Sequence, residues 1–186
     1  MSFVEFVVEV HGALVHAGLH HAFGGALALA YVAEPRGTVD VDVNVFTPID
    51  DIGIVLRALA TIDLRPEAAP EHWLPIAGVR LWRDGVPYPV DVFASLDPGY
   101  DEVRRRVVLQ PFGAGGHRLP FLSAEDLTVF KLSFGREKDW VDLRAIAASR
   151  PDLDADYVER QLVGLRGPAM HPRLARLRRY LRDGHG

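Results

Sequence analysis

The residues best placed to do chemistry in this chain lie in the run Val39-Asp40-Val41-Asp42-Val43-Asn44-Val45-Phe46, where apolar and polar residues alternate. A period of two is the mark of a strand with one apolar and one polar face. It predicts a strand over 39–46 that turns Val39, Val41, Val43 and Val45 to a core. Asp40 and Asp42 then project together, about 7 Å apart. Two carboxylates that close repel, and a hard divalent cation such as Mg²⁺ or Mn²⁺, which prefers oxygen ligands, relieves the repulsion. The same alternation also suits an exposed edge strand whose acids discourage aggregation.

Two further features tilt the choice toward a cation. Phe23-Gly24-Gly25 lies upstream, between an expected short strand over 20–23 and an Ala/Leu-rich helix expected over 26–33, ended by Pro35. Paired glycines let backbone come close to a ligand, and a helix start offers free N–H groups to phosphate. Downstream, Tyr88-Pro89-Val90-Asp91-Val92-Phe93 carries one acid among apolar residues. Asp91 completes a carboxylate trio if its strand pairs beside the first. Taken singly, a tight turn and a strand-end acid account for these features equally well.

Other candidates carry less. His20 and His21 point to opposite faces of their strand, and neither they nor His16 fall in a zinc-type spacing, so they read as structural or surface residues. Gly113-Ala114-Gly115-Gly116 lacks the Lys-Ser/Thr ending of a phosphate loop and reads as a flexible turn. No serine sits in a G-x-S-x-G context.

The elements that must position the acids are legible around them. Phe3, Val7, Val10 and Leu14 form one stripe of a helix over 3–17. A second helix is expected over 50–62. Strands over 79–83 and 88–95 are joined by Asp84-Gly85, a hairpin signal. A helix is expected over 98–106. The character changes at Ser123-Ala124-Glu125-Asp126, a helix start with Ser123 as N-cap. Helices follow to the end, including 154–165 and 172–182. The expected architecture is α/β (α+β): a small mixed twisted sheet flanked by helices over 1–120, then a helical part over 121–186.

The 186 residues suffice for one domain, or for a small domain with a helical appendage, and the 48% hydrophobic content supports a real core. The absence of cysteine excludes disulfides and thiolate chemistry. No apolar run reaches membrane-spanning length, and 3–19 lacks the basic start of a signal peptide. A cytoplasmic protein with no membrane partner is expected. Net charge is -4, yet Arg160, Arg166, Arg173, Arg176, Arg178, Arg179 and Arg182 face only Asp183 in the last stretch. That run is either a solvated face or a phosphate-backbone contact.

Taken together, Gly24-Gly25, Pro35-Arg36-Gly37-Thr38, Asp40-Val41-Asp42 and the later Asp91 strand resemble the nucleotidyltransferase (DNA polymerase β-like) superfamily. Its pattern is a Gly-Gly or Gly-Ser turn, a helix, an Asp-x-Asp strand and a third acid on a later strand. Ser123 to Leu127, Lys131-Leu132 and Arg136-Glu137-Lys138-Asp139-Trp140-Val141-Asp142-Leu143 are similar to AbiEii-like and MenT-like nucleotidyltransferases, many of them toxins of toxin–antitoxin pairs. The resemblance covers most of 19–146. Gly25 departs from the members that carry Gly-Ser there, so any phosphate contact at that position falls to backbone N–H.

The resemblance implies transfer of a nucleoside monophosphate from an NTP to a hydroxyl. Asp40, Asp42 and Asp91 would hold Mg²⁺ or Mn²⁺, with Asp91 also drawing off the acceptor proton. Gly24 and Gly25 would cradle the triphosphate, and Lys131 would contact it. Arg136, Lys138 and Asp139 are further candidates, and Arg36 and Thr38 would order the loop before the acidic strand. Lys131 and Lys138 share a face only if one helix continues through Gly135. Asp139 and Asp142, three apart, suit pairing with nearby cations. The acceptor implied is tRNA or another RNA, with a cognate antitoxin as partner. The alternatives are a small-molecule acceptor such as an antibiotic, or a catalytically silent binding module.

Overall fold

Ser2 starts the first helix as its sequence suggests. Its side chain accepts from the Glu5 amide, its own amide donates to the Glu5 carboxylate at 2.7 Å, and α1 runs Phe3–His16 with Phe6, Val7, Val10 and Leu14 buried. The computed structural model describes residues 1–69, 72, 78–95 and 100–183. In chain order β1 (His21–Phe23), α2 (Gly25–Leu29), β2 (Val41–Pro48), α3 (Ile52–Ala60), β3 (Arg65–Pro66), β4 (Gly78–Trp82) and β5 (Val90–Ser95) follow. Then come α4 (Tyr100–Arg105), β6 (Val108–Phe112), β7 (His117–Phe121), α5 (Ala124–Phe134), α6 (Glu137–Ser149), α7 (Ala155–Arg166) and α8 (His171–Asp183).

Among the described residues the strands form one seven-stranded sheet in the order β3-β4-β5-β2-β1-β7-β6. It is mixed: β2 runs parallel to β5 and β1 parallel to β7, while the β1–β2, β3–β4, β4–β5 and β6–β7 pairs are antiparallel. Val41, Val43, Val45, Val90 and Val92 of the central strands are fully buried. Each such valine contributes roughly 1.5–3 kcal/mol by leaving water. The core runs without a break from Phe6 of α1 to Leu177 of α8.

The α/β-then-helical order matches the expectation, with differences that have physical reasons. The acidic strand starts at Val41, not Val39. Thr38 Oγ1 takes the Asp40 amide hydrogen bond at 3.1 Å, which holds Asp40 in the entry turn, and Val39 is 58% exposed instead of facing the core. The helix expected over 26–33 occupies only Gly25–Leu29 and continues as turns to Ala33. The helix expected over 98–106 is Tyr100–Arg105, and positions 98–99 lie outside the described residues. The hairpin of β6 and β7 had no strand expectation. Pro111 and Pro120 masked it, since proline is unwelcome in a ladder. The glycine-rich segment between them is its turn, with Gly113 and Gly116 at positive φ. Gly135, at φ +63°, ends α5 and breaks the helix that would have aligned Lys131 with Lys138.

Candidate active site

The parallel register of β2 and β5 sets Asp42 opposite Asp91 and, one step along, Asn44 opposite Phe93. Paired residues of neighbouring strands face the same side, so these four, three polar and one aromatic, share one face of the sheet. The Asp42 carboxylate accepts no hydrogen bond and forms no ion pair among the described residues. Burial first, then the nearby Asp91 charge, push its pKa up to about 6, against a smaller opposing pull from Lys131.

Asp91 is differently placed. Arg80 of β4 grips it with two hydrogen bonds, Nε to Oδ1 at 2.7 Å and Nη2 to Oδ2 at 2.6 Å. The same guanidinium lies 3.9 Å from Asp40 Oδ1. Arg80 is therefore the resident counter-charge of the acids, held by its partner in the charged form. The sequence reading missed it because an arginine on an alternating strand looks like surface decoration; its register opposite Asp91 was the only signal.

The glycine pair gives these side chains room. A Cβ on Gly25, at φ +52°, would sit 1.7 Å from Asp42 Oδ2, and one on Gly24 would sit 2.8 Å from Asn44 Nδ2. A serine at position 25 therefore could not coexist with this Asp42 rotamer. Gly24 is also tied to the acidic strand, its amide donating to the Asp42 carbonyl at 2.9 Å.

From the helical part, α5 lays Leu127, Phe130, Lys131 and Phe134 along a cleft that also meets Gly25, Asp42, Asn44, Phe93 and Tyr100. Lys131 is 5% exposed and donates to Asp142 Oδ2 at 2.5 Å. Arg36, from the loop before β2, clasps the same Asp142 through Nε at 2.9 Å and Nη2 at 3.0 Å. Burial works against ionisation of Asp142, but the Arg36 and Lys131 hydrogen bonds outweigh it and hold its pKa below the usual range. Arg136 and Asp139 both line the cleft and pair with each other at 2.8 Å across the first turn of α6. Lys138 is exposed and acts on Asp42 only as a distant charge. Arg166, at the end of α7, lines the cleft and has no ion-pair partner among the described residues.

The structure thus gathers Asp42, Gly25, Lys131, Arg136 and Asp139 in the lining of one cleft, with Asp91 in register beside Asp42, Gly24 next to Gly25, and Asp40 near the Arg80 that holds Asp91. Arg36 reaches the cleft through Asp142 and Thr38 through the Asp40 turn, while Lys138 stays outside the lining. Among the described residues no group of three or more histidine or acidic side chains is placed to hold a metal ion. The donors nevertheless suit a hard cation: all are oxygens, Asp42 is unpartnered, and Arg80 already shows that the acids attract positive charge. Among the described residues no helix is long and apolar enough to cross a membrane.

No protein-family model matches the sequence, and a search of curated proteins gives no match. Solved structures do match. The solution structure of the antibiotic-resistance factor ANT(2'')-Ia is similar at TM-score 0.61 and 14% identity, covering 97% of each chain. A crystal structure of ANT(2'')-Ia with adenylyl-2''-tobramycin is similar at TM-score 0.60 and 12% identity, covering 91% of this chain and 97% of that one. An antigenic nucleotidyltransferase-like protein from Paracoccidioides brasiliensis is similar at TM-score 0.54 and 16% identity, covering 94% and 91%. At these identities the likeness establishes the fold: the chain has the nucleotidyltransferase fold.

Proposed function

We propose that the protein is a metal-dependent nucleotidyltransferase that moves NMP from an NTP to a hydroxyl on a small molecule. The observation that carries this is Asp42: a half-buried, unpartnered carboxylate in register with Asp91, given room by Gly25 on a sheet of this fold. Such a group is costly unless a ligand compensates it. Asp42 and Asp91, with Asp40 beside them, would hold Mg²⁺ or Mn²⁺, which would offset charge on the leaving pyrophosphate.

The chain's own groups take the remaining roles. An acceptor hydroxyl oxygen attacks the α-phosphorus, the bond to the pyrophosphate oxygen breaks, and the hydroxyl proton passes to Asp91. Arg80 must first release at least one Asp91 oxygen. Gly24 and Gly25 bring backbone N–H close to the phosphates. Lys131 spends one N–H on Asp142, and an ammonium has three, so donors remain for phosphate. Asp142 fixes where that ammonium sits. Arg136, anchored by Asp139, supplies further positive charge as the leaving group forms.

A small acceptor is favoured by the likeness to ANT(2'')-Ia, which was solved in complex with adenylyl-2''-tobramycin and shares this fold over nearly its whole length. A second reading, a toxin that modifies tRNA and is checked by a cognate antitoxin, draws on the C-terminal arginines. Arg173 is turned inward onto the Leu132 and Ser133 carbonyls, Arg176 onto Trp140 and Tyr180, and Arg178 onto Asp156 and Glu159. Arg160, Arg166, Arg179 and Arg182 have no partner among the described residues and would have to carry that contact.

The test is incubation with Mg²⁺, each α-labelled NTP, and either total tRNA or a panel of hydroxylated small molecules, beside an Asp42→Asn control. Label entering a small acceptor only with the native protein is expected. Label entering RNA alone would select the second reading, and no turnover with any acceptor would refute both.

A further inference from the structure

The half of the cleft beyond the acids has a chemistry of its own. One register step from the Asp42–Asp91 pair, about 7 Å along the strands, stand Asn44 and Phe93. Asn44 is 4% exposed, lines the cleft and has no hydrogen-bond partner among the described residues. Its amide has two donors and an acceptor with no protein partner, so it is open to a ligand that enters the cleft. It keeps its place because Gly24 has no Cβ to strike it. Aromatic rings line the same cleft: Phe93 lies 5.7 Å from Phe134, and Tyr100 lies 5.7 Å from Phe130, centroid to centroid. Phe134 is 41% exposed at the end of α5, where core packing alone would not hold a phenylalanine.

We propose that this half of the cleft seats the nucleoside end of the donor NTP, with its base stacked among Phe93, Phe130 and Phe134 and Asn44 hydrogen-bonding to its sugar or base edge. The assignment rests on the nucleotidyl-transfer reading and adds the donor's orientation to it. An NTP is anionic at one end and planar at the other. The cleft has the same polarity, with Lys131 close to Asp42 and the rings one step beyond, where the Arg136 guanidinium lies 4.8 Å from the Phe134 ring centroid. Leu127, Phe130, Lys131 and Phe134, at i, i+3, i+4 and i+7, place cation and rings on a single helical face. The two glycines thereby divide their work: Gly25 makes room for the acid at the phosphate end, Gly24 for the amide at the nucleoside end. Few polar groups meet the base, so binding is driven mainly by stacking, which every base offers.

The experiment compares the Mg²⁺ complexes of a non-hydrolysable NTP and of inorganic tripolyphosphate by calorimetric titration of the native protein, Asn44→Ala and Phe134→Ala. Phe134→Ala keeps the test valid should Asn44→Ala unfold, and circular dichroism checks both. The expected result is that native protein binds the NTP more tightly than tripolyphosphate. Each variant then weakens the NTP about tenfold, in the range of one lost base–aromatic stack, and leaves tripolyphosphate unchanged. Equal losses for both ligands, or none for the NTP, would overturn the proposal. Unchanged NTP affinity with a raised KM for the acceptor would assign the rings to the acceptor and overturn it too. Native protein that binds neither phosphate ligand would sink the nucleotidyl-transfer reading itself.

Discussion

Asp42, half-buried, and Asp142, buried, are two acids close to Lys131, and they have opposite fates. Asp142 is 2% exposed and receives three hydrogen bonds from two cations, which hold its pKa below the ordinary range. Asp42 has no partner, and its pKa sits up at about 6. A fold that pairs one carboxylate so fully leaves the other bare, and on the proposed reading the second is the one a ligand meets. Asp142 belongs to the scaffold: it ties the loop before β2 to α5 and α6. Asp42 is where perturbed ionisation and an open cleft coincide, the combination expected of a functional site.

Substitution should separate the two roles most sharply in activity. Asp42→Asn is expected to reduce nucleotidyl transfer by about 10³-fold or more, as loss of a central charge-stabilising group does, while unfolding shows a protein at least as stable as the native one. Asp142→Ala is expected to do the reverse in emphasis. Truncating one partner of a buried ion pair leaves Lys131 uncompensated and should cost about 3–5 kcal/mol in chemical denaturation. If Asp142→Ala instead left stability intact, the scaffold role would be wrong.

The pH dependence of stability sharpens the contrast, because a second buried group opposes Asp42 in the same window. His21 is driven down to about 4, chiefly by burial, though its hydrogen bond to the Leu19 carbonyl resists. Its ring also meets His11 at 2.9 Å. Between about pH 4 and 6.5 the unfolded chain holds the His21 proton and the native one does not, so this histidine makes stability rise with pH by about 3 kcal/mol. Over about pH 4–6 the native chain holds the Asp42 proton and the unfolded one does not, so Asp42 makes stability fall with pH by a similar amount, about 3 kcal/mol. The native protein should show a nearly flat profile there. Asp42→Asn should expose the histidine and become acid-labile, and His21→Gln should become more stable in acid. Parallel profiles for all three proteins would contradict the assignment.

The smallest effect concerns the glycine that makes room for Asp42. Gly25→Ala should destabilise by roughly 1–3 kcal/mol, from left-handed backbone strain together with the clash. In an Asp42→Gly background the clash is gone and only the backbone share should remain, about 1 kcal/mol. A cost that is identical in both backgrounds, read from thermal unfolding, would mean that Gly25 does not serve Asp42.

Much of this arrangement was legible in the residues. The alternation from Val41 onward specified a strand with a buried valine row and a polar row, and the glycine pair marked a close approach. The entry of the strand was misjudged by two residues because Thr38 captures the Asp40 amide, a local hydrogen bond that periodicity does not register. Asn44 stood in plain view within the alternation. Nothing in the sequence distinguished it from solvent-facing polarity until β5 brought Phe93 beside it and α5 covered both.

By itself, then, the sequence determined which residues are apolar, where the chain must turn, and that Asp42 shares a strand face with Asn44. These are consequences of period and of steric freedom at glycine, which act over a few residues. Only the tertiary structure decided which charge meets which. Arg80 reaches Asp91 across a strand pair, Lys131 reaches Asp142 across the break at Gly135, and Arg36 reaches Asp142 over 106 positions of chain. A carboxylate's role follows from its burial and its partners, and those come from packing between elements far apart in the chain, which no local pattern encodes.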